Sequence, residues 1–272
     1  MKNFVTVCVL CAFMLLPKAA WASHPLEVED TATEGKGNYL LELTGDYVKD
    51  GSANATKLTG IVTGGVGERT DLSVEVPYLM LNPSPVTEKD ASGKGDVRIK
   101  LKHQLFENEV KQSMAYEVYT DLPTGDDIKG LGTNNVDWGF LLMDSQECHD
   151  NVFHVNIGYQ VNGRDMKSGK FTRNYSLFAG LALEHKLTES FRFLTEIRAE
   201  SQKTTKKETE ILSLFPFVVE ERETSLYSRP VTLLAGFIYD ISKSWYVDLG
   251  VRAGLNSYAD DVVVLAGTAW RF

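Results

Sequence analysis

Along most of this chain, polar and apolar side chains alternate one by one. Tyr39, Leu41, Leu43, Gly45 and Tyr47 share one side of an extended backbone, and Glu42, Thr44 and Asp46 share the other. Leu72, Val74, Val76, Tyr78 and Met80 oppose Ser73, Glu75 and Pro77; Val97, Ile99 and Leu101 oppose Arg98, Lys100 and Lys102. The same holds for Phe153, Val155, Ile157, Tyr159 and Val161 against His154, Asn156 and Gln160, and for Trp245, Val247, Leu249, Val251 and Ala253 against Asp248 and Arg252. A period of two is the signature of a strand with two unlike faces. It predicts twelve strands, over 37–48, 55–66, 71–81, 96–105, 110–120, 135–145, 151–161, 173–185, 191–200, 228–241, 245–255 and 261–272. Strands this long cross a bilayer at the tilt of a barrel, whereas globular strands are usually about half that length.

Alternation alone also fits a soluble sandwich. The connections discriminate. Short links (67–70, 106–109, 146–150, 186–190, 242–244) alternate with longer ones (49–54, 82–95, 121–134, 162–172, 201–227, 256–260) along the whole chain. An up-and-down transmembrane barrel with both termini periplasmic gives this order, with short turns inside and longer loops outside. Segment 201–227 contains the apolar residues Leu212, Leu214, Phe215, Phe217 and Val218 and is read as an outer loop or a strand extension. Leu214, Phe215 and Phe217 are candidates for gathering a hydrophobic solute there. Aromatic residues fall near strand ends, as interface girdles do, and the last alternating strand closes on Phe272, a candidate signal for the barrel-assembly machinery.

The first 22 residues carry an export signal. Lys2 precedes the apolar run 4–16, and Ala20-Trp21-Ala22 is a small-x-small cleavage site. Residues 23–36 then form an acidic periplasmic tail, or one that tucks into the lumen, and 37–272 the barrel. Without Lys2 and Lys18, 26 of the 28 basic residues remain against 37 acidic ones, a net charge of −11. That surplus argues against nucleic acid as a partner. It leaves outer-membrane lipids, the assembly machinery and a small-molecule solute. Cys148 is the one cysteine beyond the signal, so no internal disulfide staples the fold.

The polar register of these strands defines a candidate lumen: Glu42, Asp46, Glu75, Arg98, Lys100, Lys102, Glu117, Glu196, Arg198, Asp248 and Arg252. Opposite charges on neighbouring strands either fill and seal a narrow barrel or line a path for a solute. Catalytic and metal sites find no support, and no cofactor is expected. Adjacent Cys148 and His149 point apart, and no His is followed two residues later by a Ser, the pattern of barrel phospholipases.

Four patches carry a family resemblance. They are His24-Pro25-Leu26 with Glu29-Asp30-Thr31 and Gly35-Lys36-Gly37; 67–72 ending at Val76-Pro77-Tyr78; Gly93-Lys94-Gly95-Asp96-Val97; and Leu122-Pro123-Thr124-Gly125-Asp126 with Gly130-Leu131-Gly132. In this order they resemble the outer-membrane transporter family of the phenol meta-cleavage (MetA) degradation pathway. The resemblance implies an outer-membrane barrel of a Gram-negative bacterium, associated with passive uptake of small, often aromatic molecules. A closed structural or surface-binding barrel and a lipid-modifying barrel enzyme are the alternatives.

Overall fold

The computed structural model describes residues 24–84, 87, 89–162, 172–214 and 217–272; for 172–174, 204–214 and 217–226 it describes backbone alone. The signal segment, its cleavage site and Phe215 lie outside the described residues. The strands are β1 (Tyr39–Asp50), β2 (Ala53–Gly67), β3 (Thr70–Asn82), β4 (Ala91–Lys94), β5 (Val97–Glu107), β6 (Gln112–Leu122) and β7 (Asp137–Cys148). They continue with β8 (Asn151–Val161), β9 (Thr172–Thr188), β10 (Phe191–Leu214), β11 (Phe217–Ser228), β12 (Val231–Ser242), β13 (Trp245–Gly254) and β14 (Val262–Arg271).

Every pairing is antiparallel, and β14 returns to β1 from Leu40↔Arg271 to Lys49↔Val262. The amides and carbonyls of Tyr39 and Phe272 finish that seam with a reciprocal pair of 2.9 Å bonds. Twelve strands close the barrel: β1–β3, β5–β10 and β12–β14. β4 is a short addition to the end of β3.

The segment 201–227 is a hairpin extension rather than an irregular loop. β10 pairs with β12 over Phe191–Ala199 and with β11 from Gln202 onward. The register is unbroken: Ala199 faces Val231, Gln202 faces Ser228, and the Glu200 amide donates to the Pro230 carbonyl between them at 3.0 Å. β11 and β12 are therefore one descending strand, interrupted at Arg229-Pro230, where proline lacks a donor. Strand parity is preserved, and roughly 40 Å of paired strand projects beyond the barrel wall. Leu214 pairs with Phe217 at its tip.

One end of the barrel carries the tight turns, such as Glu68-Arg69, His149-Asp150 and Lys243-Ser244; the other carries the longer loops. The first loop-end link is shorter than the alternation suggested, just Gly51-Ser52, because β1 and β2 pair out to Asp50 and Ala53 and Gly51 takes positive φ. The outward positions are the apolar ones expected from the alternation, including Leu43, Val74, Ile157, Leu249 and Val264. Tyr39, Tyr239, Trp245, Trp270 and Phe272 ring the turn end, and Tyr47, Tyr78, Trp138 and Tyr159 ring the loop end. Among the described residues no helix is long and apolar enough to cross a membrane; an apolar belt between two aromatic girdles is how a β-barrel does so.

At the loop end the third and fourth resembling patches meet. Asp96 accepts the Gly125 amide at 2.9 Å and the Thr133 amide at 2.7 Å. The loop that follows turns through a short 3-10 segment, Asp127–Lys129, capped by Asp126 and closed by Gly130 in the left-handed region.

Candidate functional site

The segment before β1 is not a free tail. Residues 24–35 run around the inside of the barrel. They touch β13, β12, β10, β9, β8, β6, β5, β3 and β2 in turn, a full circuit against the order of the strands. His24 Nδ1 lies 2.5 Å from Asp248 Oδ1 on β13 and Nε2 3.7 Å from Asp46 on β1. Pro25 rests on the inner face of β12 and β13 at Gly236 and Gly250. Glu196 on β10 accepts the amides of Glu27 (2.7 Å) and Val28 (2.8 Å). Asn156 on β8 grips Glu29 as a neighbouring strand would, accepting its amide at 2.6 Å and donating to its carbonyl at 2.9 Å. Thr31 bonds Ser113 before β6's Ala115, the Glu34 amide donates to Asp71 on β3, and Gly35 presses on Gly65 of β2.

This arrangement divides the interior. Leu26 and Val28 are buried with Leu40, Leu194, Leu234, Ile238, Tyr246, Val263 and Leu265. Inward apolar positions on β10, β12 and β14 therefore have a cover, and burying a side chain of this size contributes about 1.5–3 kcal/mol. The opposite wall, on β1–β3 and β5–β6, is charged and stays open to a cavity of about 420 Å³.

The lumen candidates divide between the two regions. Glu42, Asp46, Glu75, Arg98, Lys100, Lys102, Glu117 and Arg198 line the cavity. Glu196, Asp248 and Arg252 hold the N-terminal segment. The cations pair less across strands than with the segment's own acids. Lys100 binds Glu75 at 2.7 Å and Glu29 at 3.1 Å, and Lys102 binds Asp30 at 3.1 Å. Glu27 takes both Arg198, at 2.7 Å, and Arg252. Arg98 is held by Asp121 through two bonds, 2.6 and 2.9 Å. Leu214 and Phe217 sit at the hairpin tip, away from this cavity along the chain of β10.

Two groups of the segment have shifted affinities for protons. Burial works against a charge on His24, but the Asp248 and Asp46 carboxylates outweigh it and raise its pKa to about 9. Glu27 is also disfavoured by burial, yet Arg198 and Arg252 hold it below the usual carboxylate value.

One cluster was not visible in the sequence. Ser145 Oγ lies 2.8 Å from His154 Nδ1, and His154 Nε2 lies 3.3 Å from Glu184, which Arg192 binds at 3.1 Å. The order is that of a nucleophile, a base and an acid. However, His154 and Glu184 are each 2% exposed and Ser145 6%, and none of the three lines the large cavity. Cross-strand pairing of Ser145 with His154 on β7 and β8 explains the contact.

Residues 30–272 match the family described as "Putative MetA-pathway of phenol degradation". The chain belongs to that family. No curated protein matches it. Among solved structures, an outer membrane channel from Pseudomonas putida F1 is 12% identical, with 91% of this chain and 100% of that chain covered and a TM-score of 0.69. The NanC porin is 12% identical (85% and 98% covered, TM-score 0.54), and the KdgM porin 11% identical (86% and 99%, TM-score 0.53). These likenesses speak for the fold: this family member is a closed antiparallel β-barrel of the kind these outer-membrane channels and porins adopt.

Proposed function

We propose that this protein is a passive outer-membrane channel for small molecules, aromatic ones among them, and not an enzyme. The observation that carries the reading is the charged cavity of about 420 Å³ left open beside the N-terminal segment. A barrel serving structure alone has no need of an unfilled, charged interior, since smaller barrels fill theirs with side chains. The family and the three barrels above, each a channel or porin, support it. So does the burial of Ser145, His154 and Glu184, which keeps substrate from that cluster.

In this reading residues 1–22 are removed, the mature segment from Ser23 is drawn into the barrel, and both ends of the chain face the periplasm. Phe272 presents the closing strand to the assembly machinery. The hairpin tip with Leu214, Phe215 and Phe217 gathers hydrophobic solute above the outer mouth. Single-channel recording of the refolded mature protein in a planar bilayer tests the reading. Steady ohmic steps are expected. Silence from a heat-modifiable, folded barrel would overturn it in favour of a sealed structural barrel.

A further inference from the structure

The inner wall across β5–β10 has a feature that ion pairing does not explain. The Tyr119 ring of β6 packs on Gly139 of β7, and the Phe178 ring of β9 packs on Gly158 of β8. A Cβ at either glycine would lie 2.0 Å from the ring's Cζ, so the glycines create the space the rings occupy. Tyr119 Oη donates to Gln160 of β8 at 3.0 Å, which fixes the ring in place. Above each ring sits a guanidinium: Arg98 over Tyr119 at 4.3 Å and Arg198 over Phe178 at 4.8 Å.

Both guanidiniums spend their in-plane donors on carboxylates, Arg98 on Asp121 and Arg198 on Glu27. One plane of each rests on a ring. Both side chains also line the cavity, where they keep 34% and 24% exposure. A guanidinium plane with its edge already bonded still stacks on a flat π surface. Gln160, Ser176, Glu200 and Gln202 line the same cavity and supply hydrogen-bond partners for a hydroxyl. Its volume exceeds the roughly 150 Å³ that suffices for benzene in an apolar cavity.

The charge of the lining then limits what enters. Ten carboxylates line the cavity against five Lys or Arg side chains and His24. A free anion meets net repulsion, and an uncharged solute does not.

We propose that Arg98 and Arg198, backed by Tyr119 and Phe178, form a stacking subsite that selects uncharged, hydroxyl-bearing planar aromatic solutes over aromatic carboxylates and over saturated rings of the same size. This rests on the channel reading above. The test is interruption of single-channel current by three probes, each titrated over the same concentration range: resorcinol, 1,3-cyclohexanediol and 3-hydroxybenzoate. Resorcinol should half-block each channel's own open current at about fivefold lower concentration than the saturated diol, with 3-hydroxybenzoate the weakest. In the double variant Arg98→Lys/Arg198→Lys, which keeps charge and loses the planes, the preference for resorcinol should disappear. Equal block by resorcinol and the diol, stronger block by 3-hydroxybenzoate, or an undiminished preference in the double variant would overturn the subsite while leaving the channel standing. Absence of current steps would overturn the channel reading and the subsite with it.

Discussion

Gly180 on β9 and Val28 in the N-terminal segment touch so closely that a Cβ on Gly180 would overlap the valine's Cγ2. The wall is thin at this point because the segment passes there. Replacing Gly180 with Val should push Val28 off the wall and cost about 1–3 kcal/mol, as overpacking does. The barrel should still form, with a lower unfolding temperature, and residues 24–34 should become open to a Glu-specific protease. A segment as resistant as in the parent would refute the contact's importance.

The seating of the segment should depend on pH. His24 has its affinity for protons raised from 6.5 to about 9, and the groups facing it are Asp248 of β13 and Asp46 of β1. A raised value means its contribution is complete below about pH 6.5 and is lost as pH rises through about 9. Glu27, lowered below 4.5 between Arg198 and Arg252, acts in the other direction: its contribution is present above 4.5 and fades as pH falls beneath its lowered value. Protease resistance of residues 24–34 should thus hold at neutral pH and fall on the alkaline side. His24→Asn should abolish the alkaline fall.

A lining with twice as many carboxylates as Lys and Arg side chains should pass cations in preference to anions. The reversal potential under a potassium chloride gradient reads this directly. Lys100→Glu should strengthen the preference, and Glu75→Lys should weaken it. An anion preference in the parent protein would contradict the charge distribution described.

His154 is held by Ser145 and stands beside Glu184, which Arg192 also binds. Substituting His154 by Leu should leave buried polar partners behind and cost about 1–3 kcal/mol in denaturant unfolding. Ser145→Ala should change no ester-hydrolysing activity. Loss of a hydrolytic rate in that variant would mean that the cluster is reached by substrate after all.

The hairpin tip separates capture from passage. Phe215→Ser with Phe217→Ser should reduce uptake of a hydrophobic aromatic solute into liposomes at low concentration, with open-channel conductance unaltered. Unchanged uptake would remove the tip from the transport route.

The barrel was legible because its outward positions obey a simple rule: every second residue meets an apolar surrounding. Leu72 to Met80 and Phe153 to Val161 face outward as their alternation requires. The inward charges were legible for the same reason. Their partners were not, because Glu27, Glu29 and Asp30 come from outside the strands and bind residues more than 70 positions away. A sequence signal for the covered half did exist. β12 is apolar on both faces, with Leu234 and Ile238 inward beside Leu233 and Phe237 outward, so its inner face needed a cover. Leu26 and Val28, spaced by two, were the only apolar pair in the preceding segment able to supply it. Gly139 and Gly158 gave no such hint, since a glycine in a strand does not say which ring will lie on it.

The circuit traced by residues 24–35 also measures the barrel. Its first contact is on β13 and its last on β2, and Glu34 reaches forward to Arg271 on β14. A barrel with two strands fewer would leave no room for this loop of chain. One with two strands more would stretch it away from Glu196 or Asn156. The segment therefore works as a gauge of girth: its bonds to Asp248, Glu196, Asn156 and Asp71 are made together at one circumference, that of twelve strands.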